Sequence, residues 1–213
     1  MGVQKVAAGI LAGGKSSRMG TNKAFLPFQG KPLIYRVYMT LAGVFDEVFV
    51  VGSREAGEYL GIASYPDLGP DERPSSIKGI FSGLAASPTL YTFFAPCDMP
   101  FLDEKALEEM RRSLPEGCDV YVPYDGKYWQ PLHAIYSKNC LPAIEAQFAN
   151  TVYKIMALYD RVNTCTVDME ALEGLAPYLP LFFNINTAAD LKAAEGIAVR
   201  LHGRKEVSFD PKR

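Results

Sequence analysis

The sequence predicts a doubly wound α/β fold with a mainly parallel sheet, and three observations carry that expectation. Short β-rich runs alternate with amphipathic stretches along the 213 residues, the pattern of a parallel sheet covered by helices on both faces. A glycine-rich turn follows the first apolar run, at the carboxyl end of a strand, where such folds receive their ligands. A hydrophobic content of 48% fills a single core without a structural metal.

Each element follows from local pattern. VAAGILA (Val6 to Ala12) is almost wholly apolar and reads as a buried strand, with EVFVVG (Glu47 to Gly52) and LYTFFAP (Leu90 to Pro96) as further strands. Between them, Pro32 to Leu41 and Ile77 to Ala86 carry helical apolar spacing, with Pro32 suited to a first turn. These segments are right-handed crossovers by default. Asp103 to Leu114 predicts an exposed helix, DVYVPYDG a strand and turn, QPLHAIY a further strand, and Lys138 to Phe148 a helix. RVNTCTVD and LFFNIN read as late strands, and TAADLKAAEG as a helix with Thr187 as N-cap and Gly196 as its stop. No repeat or low-complexity linker divides the chain. The expected organisation is one domain over residues 1–196, followed over 197–213 by a hairpin around His202 and Gly203 or a tail.

Composition excludes several classes of function. A net charge of −2 arises from 22 basic and 24 acidic residues spread along the chain, so no basic stripe points to duplex nucleic acid. The aromatic residues fall mostly in strands and form no stacking platform for single strands. Cys97, Cys118, Cys140 and Cys165 lie more than twenty positions apart without a C-x-x-C pair, which predicts reduced thiols. With no leader pattern and no apolar run of bilayer length, the expected location is the cytoplasm, away from membranes.

GILAGGKSSRMGTNK (Gly9 to Lys23) satisfies the phosphate-loop pattern G-x-x-x-x-G-K-[ST] through Gly9, Gly14, Lys15 and Ser16. A phosphate loop, however, begins a helix at its Lys-Ser pair. Here Ile10, Leu11 and Ala12 continue the strand, while Gly20, Pro27 and Gly30 leave little room for such a helix. The better parse is strand, Gly13-Gly14 turn and long loop, whose side-chain-free amides let a triphosphate approach closely. Arg18 and Lys23 then supply its cationic contacts. Asp98, just beyond the apolar TFFAP and flanked by Pro96 and Pro100, stands where a carboxylate can hold magnesium at the carboxyl edge of the sheet. His133, inside an apolar strand, and Cys97, without a recognisable histidine partner, read as core residues rather than as ligand and nucleophile.

These residues resemble a family. LAGGKSSRMGTNK (Leu11 to Lys23) is similar to the signature loop of nucleotidyltransferases that act on molybdopterin. PCDMPF (Pro96 to Phe101), WQPLHAIY (Trp129 to Tyr136) and FFNINTAADL (Phe182 to Leu191) resemble its later motifs in the expected order. The PLHAIY and NINT pair points particularly to the molybdenum cofactor guanylyltransferases. The resemblance implies a Rossmann-like nucleotidyltransferase sheet in three layers, α/β/α. It implies transfer of GMP from GTP to the terminal phosphate of molybdopterin, or Mo-molybdopterin, with Mg²⁺ as cofactor and pyrophosphate as leaving group. Molybdoenzyme maturation proteins are the further partners that such a product suggests.

Both reactants are anions, so charge neutralisation and in-line placement matter more than a protein nucleophile. Lys23 would lie along the α-phosphate, Arg18 would hold the outgoing pyrophosphate, and Asp98 would bind the metal. The nucleotide would rest on Leu11, Ala12, Gly13 and Gly14, with Ser53 and Asp67 reading the base, and Gln130, Asn184 and Asn186 would face the pterin. The chain departs from the family in having Ser53 where asparagine is frequent, and SSIKGI (Ser75 to Ile80) in place of G-P-L-A-G-I. Cytidylyl transfer and sugar-phosphate nucleotidyl transfer share the loop. A noncatalytic nucleotide-binding module would not require a metal carboxylate aligned with both cations.

Overall fold

The computed structural model describes residues 4–13, 22–71 and 73–207. The first half contains β1 (Val6–Leu11), a small hairpin of β2 (Pro27–Phe28) and β3 (Lys31–Pro32), α1 (Leu33–Ala42) and β4 (Val48–Val51). It continues through α2 (Arg54–Leu60), β5 (Ser64–Tyr65), α3 (Ser76–Ala86) and β6 (Tyr91–Pro96). The second half holds α4 (Glu104–Ser113), β7 (Val120–Tyr124), β8 (Ala134–Ser137), α5 (Leu141–Ala149), β9 (Thr164–Asp168), α6 (Met169–Leu175) and α7 (Ala188–Val207).

Seven strands form one sheet in the order β5-β4-β1-β6-β8-β7-β9. All neighbours are parallel except at β8, which runs antiparallel to β6 and β7. The fold is thus a mixed, mostly parallel sheet flanked by helices, of the Rossmann-like nucleotidyltransferase type. On one face Ile34, Val37 and Leu41 of α1, Leu107 and Met110 of α4, and Leu172 of α6 close a core over β1 and β6. On the other, Ile77, Ile80 and Leu84 of α3 and Ile144 of α5 pack on Phe94, Val120 and Tyr136. Gly9, which seeded the phosphate-loop match, lies within β1: a Cβ there would come 2.6 Å from the Phe94 ring. That glycine serves packing.

The topology creates the site. The chain leaves β1 for β4 on one side and later returns to β6 on the other, which opens a crevice at the carboxyl edge. Leu11 pairs with both Val51 and Pro96, so the three strands end level.

Several sequence expectations change. LFFNIN is not a strand: the Phe183 amide donates to Pro180 O at 3.0 Å and that of Ile185 to Asp98 O at 2.9 Å, away from any ladder. Thr187 caps α7 as expected, its Oγ1 accepting from the Asp190 amide at 3.1 Å, but Gly196 does not stop the helix. A mid-helix glycine costs about 1 kcal/mol relative to alanine. Here Ala194 and Ala198 are buried on either side of it against Phe28, Leu33 and Phe101, so packing outweighs propensity. The helix runs to Val207 in place of the hairpin drawn around His202 and Gly203, and crosses the boundary expected at 196. Pro32 sits one residue before α1, in the hairpin.

Cys118 and Cys165 are joined in a disulfide with Cα atoms 6.1 Å apart, which corrects the expectation of four reduced thiols. The reason is register: β7 pairs Tyr121 with Cys165 and so draws the residues preceding β7 alongside β9. Cys97 and Cys140 are free and buried, as expected of core thiols. No helix among the described residues is long and apolar enough to cross a membrane.

Candidate functional site

A cleft of about 530 Å³ opens at the level ends of β1, β4 and β6. Its floor is Leu11, Ala12 and Gly13 after β1, and Cys97 and Asp98 after β6. The Ala12 amide donates to Val51 O at 2.9 Å and the Cys97 amide to Leu11 O at 3.0 Å, so both exits from the sheet are tied to β1 or β4. Asp67, past β5, forms one wall, and Asn184 and Asn186, ahead of α7, form another.

Lys23 stands at the centre. Its Nζ lies 3.3 Å from Asp98 Oδ2 and donates to Asn186 Oδ1 at 2.9 Å. Asn22 positions the short helical turn that carries it, its Oδ1 accepting from the Ala24 amide at 3.1 Å. The side chains of Lys23 and Asp98 are only 21% and 16% exposed, so this pair is less screened than a surface ion pair. Burial raises the Asp98 carboxyl above its ordinary range, and the Lys23 ammonium pulls it back down. Cys97 beside it is pushed up to about 12, chiefly by burial, and stays a neutral thiol. Asn186 is held from behind, since the Asp190 carboxylate accepts from the amides of Asn186 at 2.9 Å and Thr187 at 2.8 Å.

The Asp67 wall is made by close approach. A Cβ on Gly13 would collide with Asp67 Oδ2, and Gly52, with φ of +86°, packs its backbone against Gly13. Only glycine fits this interlock. Asp67 is raised by burial, opposed by the charge of Lys78.

The cleft brings together Leu11, Ala12, Gly13, Lys23, Asp67, Asp98, Asn184 and Asn186 of the sequence-derived set. Ser53 is elsewhere: it is the N-cap of α2, with Oγ accepting from the Ala56 amide at 3.2 Å. Gln130 does not line the cleft; it lies in the turn before β8, and its amide donates to Pro123 O at 3.0 Å. Gly14 and Arg18 lie outside the described residues. His133 is buried, as read from its apolar surroundings, with its ring edge-on to Phe93 and Phe182 at 5.0 and 5.1 Å between centroids.

Sequence reasoning missed Asn22, Leu132, and Pro74 with Ser75 and Ser76 as walls. It also missed a second concavity of about 390 Å³ that shares Pro74, Ser75 and Ser76 and continues to Pro131, Tyr153, Lys154 and Met156. Their signal was a charged, turn-rich stretch before a helix, which has no periodicity to interpret.

Asp98 is a hard oxygen donor, and no group of three or more His, Cys, Asp or Glu able to hold a metal occurs among the described residues. Asp98 is the residue that could hold Mg²⁺, an ion that binds through one or two carboxylates and completes its shell with water and substrate phosphate.

A Rossmann-like sheet with a lysine, a carboxylate and Gly13 at its switch point is compatible with a nucleotidyltransferase, and similarity to known proteins supplies the class. The family model described as MobA-like NTP transferase domain matches residues 8–164. The probable molybdenum cofactor guanylyltransferase of Pelotomaculum thermopropionicum is 40% identical over 191 residues, covering 89% of this chain and 91% of that protein. The molybdenum cofactor guanylyltransferase of Desulfosudis oleivorans is 34% identical, covering 87% and 92%. Among solved structures, molybdopterin-guanine dinucleotide biosynthesis protein A from Archaeoglobus fulgidus superposes with a TM-score of 0.78 at 28% identity, over 91% of this chain and 99% of that one. The chain belongs to the MobA-like molybdenum cofactor guanylyltransferase family.

Proposed function

We propose that this cleft transfers GMP from GTP to the terminal phosphate of molybdopterin, with or without its molybdenum. An acceptor phosphate oxygen attacks the α-phosphorus, the bond from that phosphorus to the bridging oxygen breaks, and pyrophosphate leaves. The observation that carries this reading is the convergence of Asp98 and Asn186 on Lys23 at the carboxyl edge of the sheet. A cation, a metal-type carboxylate and an amide from the far end of the chain meet where two anions must be aligned.

Gly13 and its neighbours would cradle the triphosphate, and Lys23 would turn from Asp98 to the α-phosphate, where charge builds as the bond forms. Arg18, from its place in the loop, is assigned to the outgoing pyrophosphate. Asp98 would hold Mg²⁺, which when bound neutralises charge shared by the α-phosphate and the leaving group. Asp67 supports guanine over cytosine, because a carboxylate accepts from both guanine N1–H and its exocyclic amine, whereas cytosine offers one donor beside an acceptor. With Ser53 committed to α2, Asp67 carries that selectivity. The pterin would lie against Asn184 and Asn186, and the adjoining concavity offers Lys154 to an acceptor phosphate.

The test measures pyrophosphate release with Mg²⁺ and molybdopterin, supplying GTP, CTP, ATP or UTP at matched concentration. GTP-dependent release is expected. Preference for CTP would overturn the guanylyl reading, and binding without release would indicate a noncatalytic module.

A further inference from the structure

The segment that delivers Asp67 to the cleft crosses from β5 to α3, and its described residues, 66–71 and 73–75, lie outside helices and strands. Such a segment keeps a side chain in one place only if its amides and carbonyls are held elsewhere. They are held by one face of α3. Ser82 Oγ accepts from the Leu68 amide at 2.6 Å and donates to Lys78 O at 2.7 Å, one helical turn earlier. Lys78 is 6% exposed, and its Nζ donates to the carbonyls of Asp71 and, at 3.0 Å, Arg73. The Asp71 carboxylate lies 3.7 Å from the same nitrogen. Gly69 rests on the Lys78 stem so closely that a Cβ there would collide with Lys78 Cε. The network reaches the second concavity, where the Tyr153 hydroxyl donates to Asp71 Oδ2 at 2.7 Å and Arg73 lies 4.8 Å from the Tyr153 ring.

A buried lysine is costly unless its charge and three donors are satisfied. Here the expense secures a loop. Lys78 belongs to SSIKGI, the stretch where the chain departs from G-P-L-A-G-I, and the activity so far derived makes no use of it. We propose that Lys78 is a specificity-determining positioning residue: from the first turn of α3 it pins the loop at Gly69, Asp71 and Arg73 so that the Asp67 carboxylate meets the base edge of a guanine nucleotide. The inference rests on the guanylyl reading of the cleft and deepens it.

Two consequences separate this role from simple structural support. Guanine is distinguished from hypoxanthine only by the exocyclic amine, so the ratio of affinities for GTP and inosine triphosphate reports whether Asp67 reaches that amine. Asp67 is packed by the end of β1 at Gly13, the end of β4 at Gly52 and α3 at Gly79. Among the described residues Lys78 is the charged group that acts on it there, lowering a carboxyl that burial raises. Removing the ammonium leaves Asp67 to take up a proton at higher pH.

Equilibrium binding of GTP and inosine triphosphate with Mg²⁺ is measured from pH 5 to 8 for the wild type, Lys78→Met and Ser82→Ala. The wild type is expected to favour GTP by about tenfold or more, the worth of one hydrogen bond to a charged group. Lys78→Met should shrink that ratio to about twofold or less and move the acid limb of GTP affinity to higher pH. Ser82→Ala, which removes no charge, should reduce the ratio without moving the limb, and provides the comparison if Lys78→Met does not fold. A Lys78→Met protein that keeps both ratio and pH profile overturns the proposal, as does a folded Ser82→Ala protein with the wild-type ratio. If the wild type itself prefers CTP, the guanylyl reading has failed, a result distinguishable from failure of Lys78 alone.

Discussion

In the proposed reaction, Lys23 is the residue on which the chemistry would depend most directly. It bridges Asp98 at 3.3 Å and Asn186 at 2.9 Å, so these two partners keep the cation within the cleft, from which it would turn to an arriving phosphate. Preorganisation of this kind avoids the cost of recruiting a charge at the moment of reaction. Lys23→Ala is expected to lower kcat by on the order of 10²-fold, the scale lost with one preorganised stabilising donor. Single-turnover rates measure it, and a rate near wild type would remove Lys23 from the mechanism. Ser53 shows how two roles share one sequence signal: a serine just after a strand fits a ligand contact and a helix N-cap equally well. The hydrogen bond to Ala56 decides for the cap.

At the scale of elements, the start of α7 is a device that presents Asn186. Thr187 accepts from the Asp190 amide while the Asp190 carboxylate accepts from the amides of Asn186 and Thr187, a reciprocal cap that satisfies donors the helix itself cannot. Hydrogen bonding, first from the Asn186 amide and then from the side chain and amide of Thr187, holds the Asp190 carboxyl below its ordinary range. Asp190→Ala should lower Tm and raise KM for the pterin acceptor more than it lowers kcat; Asp190→Asn, which keeps an acceptor oxygen, should fall between. Steady-state kinetics with varied acceptor check this, and an unchanged KM would show that the cap serves stability alone. The helix start was legible in Thr187 and in the apolar spacing after it. The extended segment before it was not, because alternation in LFFNIN marks side-chain direction in any extended chain, paired or not. Leu181 and Ile185 are buried while the amides turn to Pro180 and Asp98, so period two placed both asparagines correctly on the cleft and wrongly in the sheet. Parallel strands were equally legible as apolar runs, whereas the reversed direction of β8 leaves no trace in composition. The loop behind Asp67 was illegible, since what fixes it is the buried ammonium of Lys78, and a lysine in sequence reads as solvated.

For the molecule as a whole, the central sheet and the late segment before α7 meet at a buried histidine. His133 lies just ahead of β8, between Phe93 of β6 and Phe182 of the segment that carries Asn184 and Asn186. Among the described residues neither ring nitrogen has a hydrogen-bond partner, and burial pushes the imidazole down to about 3 from the ordinary 6.5. The ring is therefore neutral in the folded protein at any pH near 7. The unfolded chain takes up a proton near pH 6.5 and the folded chain does not. The stability this group contributes is complete above about pH 6.5 and is lost as pH falls toward 3, with a limiting slope of about 1.4 kcal/mol per pH unit. Asp67 and Asp98, raised by burial, act in the opposite sense, so the histidine is isolated by comparing two proteins that share those carboxylates. His133→Leu replaces an unpartnered polar ring with an apolar group and should be neutral or stabilising at pH 7. Between pH 6 and pH 4 its unfolding free energy in urea should decline less steeply than wild type, by up to about one proton's worth. Parallel slopes would mean that His133 is protonated in the folded state or acquires a partner there, and that the joint between the sheet and the pterin-side segment is not closed to water.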